Sequence, residues 1–199
     1  MYAKCGVSTD QDILEVIETY SANKKAAAYK VIEDMEAEAA GTMQLAPGVL
    51  EMANWLHAHE IKIALVTRNT QKTVSIFHER LWKPFRPFEP AISRDFVFPK
   101  LPPKPDPAAL FYIADLWNCK LPSDDIIMVG DSPSNDIVFG KRAGVKTVLV
   151  DTGRKFLEKE SYKINSDAGA DLVVESLALL PHFIEQSYSL VEVGPSQGL

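Results

Sequence analysis

Apolar residues recur every three or four positions through the first part of the chain, as Ile13, Leu14, Val16 and Ile17 and then as Ala28, Val31, Ile32 and Met35. In Ala-, Glu- and Lys-rich text without proline, that spacing predicts a pair of helices over Gln11 to Ala40, broken near Ser21 to Asn23. Gly41 to Gln44 reads as a linker, and Pro47 suits the first turn of a helix reaching His59, with Val49, Ala53 and Leu56 on one face. The period then changes. Ile61 to Thr67, IKIALVT, is an almost unbroken apolar run with β-branched residues, the pattern of a strand buried on both faces of a parallel sheet. Gln71 to Leu81 returns to helical spacing, and the proline-rich stretch from Pro84 to Pro107 has room only for a short strand near Asp95 to Phe98. Pro107 to Trp117 is helical, IIMVGD from Ile126 to Asp131 is a second buried strand, and Asn135 to Ala143 is a helix closed by Gly144. KTVLVD from Lys146 to Asp151 is a third strand, and LVVES near Leu172 a last one. Strands alternating with helices in this way predict an α/β fold, a three-layer, doubly wound, Rossmann-like parallel sheet with right-handed crossovers. Such a sheet binds ligands at the carboxyl ends of its strands.

Composition narrows the partners more than the fold. The 199 residues are 46% hydrophobic, enough for a packed core, and carry a net charge of −6 with Lys and Arg scattered along the chain. Nothing here matches the electrostatic footprint of a nucleic-acid or membrane-surface binder, so a small soluble ligand is expected. Cys5 and Cys119 stand alone, outside any metal-ligand spacing, which argues against disulfides and zinc and for a reducing compartment. With no apolar run of spanning length and no signal-peptide order at the start, the expected location is the cytosol.

Three polar signatures fall at or beyond the predicted strand ends. Thr67-Arg68-Asn69 closes the first strand with a hydroxyl and backbone N–H groups able to hold a phosphate oxygen, although a threonine there is also an ordinary strand-to-loop residue. Lys104, in PPKPDPAAL, is presented by flanking prolines just before a helix, so its ammonium can neutralise a phosphoryl group and a nearby carboxylate; the alternative is a solvated loop lysine. The strongest signature is Asp131 ending IIMVG, followed by Ser132-Pro133-Ser134 and then Asn135-Asp136 opening a helix. Carboxylates so placed are hard oxygen ligands suited to Mg²⁺. Asp136 could equally serve the helix N-terminus, but an acid ending five apolar strand residues needs a cation to explain it.

In this order and spacing, VTRN, KPDP and VGDSPSNDIVFGKRAG resemble the second, third and fourth motifs of the haloacid dehalogenase superfamily, over roughly Leu45 to Asp151. The resemblance implies a Mg²⁺-dependent phosphatase of phosphoglycolate-phosphatase type, acting on a small phosphorylated metabolite through an aspartyl-phosphate. It assigns Thr67, with Arg68 and Asn69, to binding the transferring phosphoryl group and Lys104 to stabilising it. Asp131 would ligate the metal, and Asn135 and Asp136 would complete its outer shell. The loop between them is one residue longer than in many such proteins, so either Asn135 or Asp136 could take the second position. The resemblance also divides the chain into a small helical cap at residues 1–44 and an α/β core at 45–199.

The family's first motif, an apolar strand ending in Asp-x-Asp-Gly-Thr that carries the nucleophile, has no counterpart here. Asp10-Gln11-Asp12 keeps the carboxylate spacing but follows a polar, glycine-broken stretch, and Asp34-Met35-Glu36 lies in helical text, so both read as solvated helix acids. A catalytically silent protein that binds a phosphate ligand or a protein partner is therefore the rival to an enzyme. Since that strand lies between the strands ending at Thr67 and Asp131 in the proteins this chain resembles, a gap is expected between them. Tyr2 to Ser8, Tyr188 to Val193 and residues upstream of Met1 are the candidates to fill it, with the last favoured.

Overall fold

The computed structural model describes residues 2–8, 11, 13–156 and 169–187. The N-terminal periodicity resolves into α1 (Tyr2–Cys5), α2 (Ile13–Glu18) and α3 (Ala22–Thr42), with the break at residues 19–21. Their apolar positions, Cys5, Val7, Ile13, Ile17, Ala28 and Ile32, face one another in a cluster of their own. Tyr2 to Ser8 is thus committed to this cluster and does not enter the sheet. The expected linker at Gly41 to Gln44 is partly helical, because α3 continues through Thr42 before Met43 turns extended.

The remainder forms the three layers. α4 (Val49–Ala58) leads to β1 (Leu65–Val66), α5 (Gln71–Arg80) to β2 (Ala91–Ile92), and α6 (Ala108–Leu116) to β3 (Ser123–Gly130). A π-helical turn at Pro133–Ile137 runs into α7 (Val138–Ala143), then β4 (Val145–Val150), β5 (Leu172–Val174) and α8 (Leu180–Ser187). Gly144 ends α7 at φ 72°, the left-handed position that favours glycine. All pairings are parallel, but they form two sheets, β1-β2 and β3-β4-β5.

Two strand expectations change. The strand expected near Asp95 to Phe98 lies at Ala91–Ile92, where Leu65 pairs with Ala91 and Val66 with Ile92; Val97 and Phe98 are instead 83% and 87% exposed. The strand expected over Ile61 to Thr67 shrinks to two residues, and its side chains, like Ile127, Met128 and Val129 of β3, are half-buried rather than buried. Both β1 and β3 end a sheet, so each lacks a lateral neighbour on one side among the described residues. They are nonetheless roofed together. On one face Ala109, Leu110, Ile113 and Ala114 of α6 pack with Ala64, Val66 and Ile92 of one sheet and Ile126 and Met128 of the other. On the opposite face Met52, Trp55 and Leu56 of α4 pack with Ile127 and Val129.

Candidate functional site

The carboxyl ends of β1 and β3 come together through one side chain. Lys104 Nζ donates to the Val66 carbonyl at 2.7 Å and to Asp136 Oδ1 at 2.7 Å. The ion pair is shielded, with Lys104 11% and Asp136 7% exposed at the side chain. The solvated-loop alternative for Lys104 is thereby excluded: prolines and the start of α6 carry it inward, where its charge requires a partner. Asp136 Oδ2 in turn accepts the N–H groups of Asp131 at 3.1 Å and Ser132 at 3.0 Å. A carboxylate in that position needs Gly130, because a Cβ there would lie 2.3 Å from Asp136 Oδ2 and 2.4 Å from its Cβ. The glycine before Asp131 is a site residue in its own right, and its signal in the sequence is the Gly-Asp pair ending an apolar strand.

The extra loop residue is absorbed by the π-turn. Ile137 N–H reaches back five residues to the Ser132 carbonyl at 3.2 Å, while Asp136 N–H bonds the same oxygen at 2.8 Å. This widening swings Asp136 inward to Lys104 and leaves Asn135 beside Ser132, whose Oγ accepts both the Asn135 N–H (3.3 Å) and its side-chain amide (3.1 Å). Asp131 itself is exposed at the strand end. Asp136 therefore buttresses the turn and pairs with the lysine.

On the β1 side, Asn69 N–H donates to Thr67 Oγ1 at 3.1 Å, which occupies an acceptor lone pair and leaves the hydroxyl proton to be donated elsewhere. The loop is held from behind. The Asn69 carbonyl accepts Arg94 N–H at 2.9 Å, and Asp95 Oδ1 accepts Gln71 N–H at 2.7 Å and Ser93 Oγ at 2.8 Å. Burial raises the Asp95 carboxyl, but these hydrogen bonds outweigh it and hold the group below the ordinary carboxylate range. The Arg94 guanidinium forms a fork with Glu36 of α3 at 2.9 and 3.2 Å, and Arg80 donates to the Ala40 carbonyl, so the N-terminal helices are pinned to the strand-end loops. Neither Arg94 nor Asp95 stood out in the sequence, since an arginine and an acid in a proline-rich loop carry no motif.

The expected residues thus converge in part. Thr67, Lys104, Asp131, Asn135 and Asp136 gather at the adjoining ends of β1 and β3, and Arg68 and Asn69 belong to the turn that follows Thr67. Asp10 and Asp12 lie outside the described residues. Among the described residues no group of three His, Cys, Asp or Glu side chains is disposed to hold a metal ion. A Mg²⁺ ion fits the site in carboxylate-poor form: Asp131 is an outward carboxylate, and Mg²⁺ takes one or two such ligands with waters and substrate phosphate. Also among the described residues, no helix is long and apolar enough to cross a membrane.

Comparison with known proteins bears on the family and the fold. Residues 2–150 match the family described as haloacid dehalogenase-like hydrolase. The chain is 37% identical over 180 residues to a haloacid dehalogenase-like hydrolase domain-containing protein of Arabidopsis thaliana, covering 90% of this chain and 69% of that one. It is 34% identical over 140 residues to a phosphoglycolate phosphatase of Pseudomonas fluorescens, covering 70% of this chain but only 47% of that protein. Among solved structures, a hydrolase from Pseudomonas syringae superposes with a TM-score of 0.67 at 16% identity, over 94% of this chain and 90% of that one. A HAD phosphatase from Thermococcus onnurineus gives a TM-score of 0.59 at 20% identity, over 96% and 88%; both likenesses concern the fold. With the strand-end motifs and the family match in agreement, the chain belongs to the haloacid dehalogenase-like hydrolases.

Proposed function

We propose that the strand-end cluster binds a small phosphorylated metabolite together with Mg²⁺ and serves phosphoryl transfer. The observation that supports this most is the shielded Lys104 ammonium, held between the ends of β1 and β3 by Val66 O and Asp136. A fixed positive charge there neutralises phosphoryl oxygens without the reorganisation that water would require. Thr67, whose oxygen already accepts the Asn69 N–H, has a hydroxyl proton to donate to one such oxygen. Asp131, with Asn135 held at Ser132 in the same turn, would hold the metal, which when bound lowers the charge on the phosphoryl group. The name of the Pseudomonas relative, phosphoglycolate phosphatase, supports a small phosphorylated acid as the substrate class. Calorimetric titration with Mg²⁺ tests the metal assignment: Asp131→Ala abolishes the binding heat and Asp136→Ala weakens it. Equal binding by the wild type and Asp131→Ala refutes it.

A second reading, a phosphate-binding protein without turnover, is favoured by one observation: the sequence shows no apolar strand ending in Asp-x-Asp-Gly-Thr to carry a nucleophile. Aspartyl-phosphate chemistry needs a carboxylate beyond Asp131, which would hold the metal, and Asp136, whose oxygens are taken by Lys104 and two backbone N–H groups. Turnover of p-nitrophenyl phosphate separates the two readings, and this chain is expected to be slow. Robust Mg²⁺-dependent turnover abolished by Asp10→Asn would assign the nucleophile to the N-terminal acids and exclude the binding-only reading.

A further inference from the structure

The turn after β1 takes its shape from β2 and the loop that leaves it. Thr67 N–H donates to the Ile92 carbonyl at 2.9 Å, the Asn69 carbonyl accepts Arg94 N–H at 2.9 Å, and Gln71 N–H donates to Asp95 Oδ1 at 2.7 Å. Residues 92, 94 and 95 thus serve in order the start, middle and end of the segment 67–71, as a template along which it lies. A template fixes shape only as well as it is itself fixed. At its start Ile92 is buried with the side chains of α6, and just beyond its end Phe96 lies against Tyr112, ring centroids 6.1 Å apart. Directly after Phe96 this anchoring stops, with Val97 and Phe98 exposed. The middle residue, Arg94, reaches away from the α/β core altogether.

The Arg94 guanidinium forks onto Glu36 of α3, with Nη1 donating to Oε1 at 2.9 Å and Nη2 to Oε2 at 3.2 Å, and the pair is largely buried. Two parallel bonds between planar groups fix direction as well as distance. By its packing α3 belongs to a different cluster: its Ala28 and Ile32 close on Cys5, Val7, Ile13 and Ile17, apart from the core that holds Ile92. One residue therefore joins the two, with its backbone N–H on the turn and its side chain on the helix. Glu36 balances the charge of the guanidinium, so what the pair gives the turn is position rather than field.

We infer that Arg94 and Glu36 are positioning residues, a latch by which α3 holds the Thr67–Asn69 turn in its phosphate-binding shape without touching the ligand. The inference rests on the reading of the strand-end cluster as a phosphate site. Its reach is local. Loss of the fork frees Arg94 to swing, loosens its backbone bond to the Asn69 carbonyl and lets the Thr67 hydroxyl lose its place, while Lys104, Asp131 and Ser132 keep the partner that Asp136 gives them. The latch also carries a sign that no charge effect shares. Removing an acid from the surroundings of an anion site tightens phosphate binding if charge is what matters, and weakens it if position is.

Two readouts on the full chain test this: amide hydrogen exchange resolved by NMR, and calorimetric titration with inorganic phosphate in the presence of Mg²⁺. Glu36→Ala should speed exchange of the Thr67, Gln71 and Arg94 amides about 10-fold and leave those of Asp131 and Ser132 unchanged. Asp34→Ala removes the same charge from the same helix, but from an exposed pair with Lys30, and should alter neither set. Arg94→Met opens the fork from its other end and should give the same acceleration, so a variant that fails to fold leaves its counterpart to decide. In the titration Glu36→Ala should weaken phosphate binding at least about 5-fold, the lower end of ordinary coupling between sites. Unchanged exchange of the turn amides overturns the inference. Tighter phosphate binding by Glu36→Ala also overturns it, since Arg94 would then be an anion contact. A wild-type chain that binds no phosphate refutes the phosphate reading of the cluster, and the exchange of the turn amides then decides alone whether the latch exists.

Discussion

Replacing Asp136 by alanine removes three interactions at once: the ion pair to Lys104 and the acceptor for the Asp131 and Ser132 N–H groups. With Lys104 only 11% exposed, its ammonium is left without a counter-charge in a poorly solvated place, a loss of about 3 to 5 kcal/mol. The two N–H groups add less, because Asp131 is exposed and water can reach the turn once the carboxylate is gone. Against a net stability of about 5 to 15 kcal/mol, that loss should lower Tm by about 6 to 20 °C in a domain of this size. Asp136→Asn keeps the shape but has a single oxygen: facing Lys104, it turns its NH₂ toward two other donors, and facing those donors, it turns its NH₂ toward the ammonium. It should therefore recover no more than about half of the loss. Lys104→Met leaves Asp136 with its two N–H donors and should cost less than Asp136→Ala. Urea unfolding of the two single variants and the double variant gives the coupling, expected above about 1 kcal/mol. An Asp136→Ala variant within about 0.5 kcal/mol of wild type, or strictly additive effects, would show that the pair does not hold the strand ends together.

Three further outcomes follow from neighbouring geometry. Gly130→Ala should destabilise by about 1 to 3 kcal/mol, because its Cβ falls where the Asp136 carboxylate packs, and thermal unfolding reads this directly. His78 is held below its ordinary pKa by burial, and its Nε2 accepts the Phe88 N–H at 3.4 Å. The unfolded chain then binds the proton first, so stability present above about pH 6.5 declines as pH falls through the lowered folded value, and His78→Phe should flatten that slope in urea titrations across pH 5 to 8. Arg94→Met breaks the fork to Glu36, whose partners are 19% and 12% exposed, and should speed proteolysis within α3 while leaving α6 and α7 resistant.

The layers were legible because their signals are local. A 3.6-residue period marks α3, α4, α5 and α6, and unbroken apolar runs mark β3 and β4, so the doubly wound class needs no tertiary knowledge. Strand limits were less legible. IKIALVT is as apolar as IIMVGD, yet it pairs over two residues only, because ladder length is set by the neighbour, and β2 contributes only Ala91 and Ile92. The strand expected around Asp95 failed for a similar reason: Asp95 and Ser93 fold back to serve the start of α5, leaving Val97 and Phe98 exposed. At the site, Thr67, Lys104 and Asp131 could be named from strand-end position. The inward turn of Asp136 could not, since it depends on a π-turn that accommodates one extra loop residue and on a glycine across from it.

Lys104 shows why fold and chemistry are hard to separate at this sheet. Its ammonium satisfies a backbone carbonyl on the open edge of β1, and through Asp136 it fixes the turn that presents Asp131. A positive charge placed only for phosphate would be solvated and mobile when no ligand is bound, and would have to be ordered on each encounter. Here the ordering is completed by folding, because the carboxylate that balances the charge is also the acceptor for the strand-end N–H groups. The same economy limits substitution. A residue at position 104 must reach both an edge carbonyl and a buried acid, so arginine, with a wider planar head that cannot occupy the small space between Val66 O and Asp136, should not replace it even though the charge is kept.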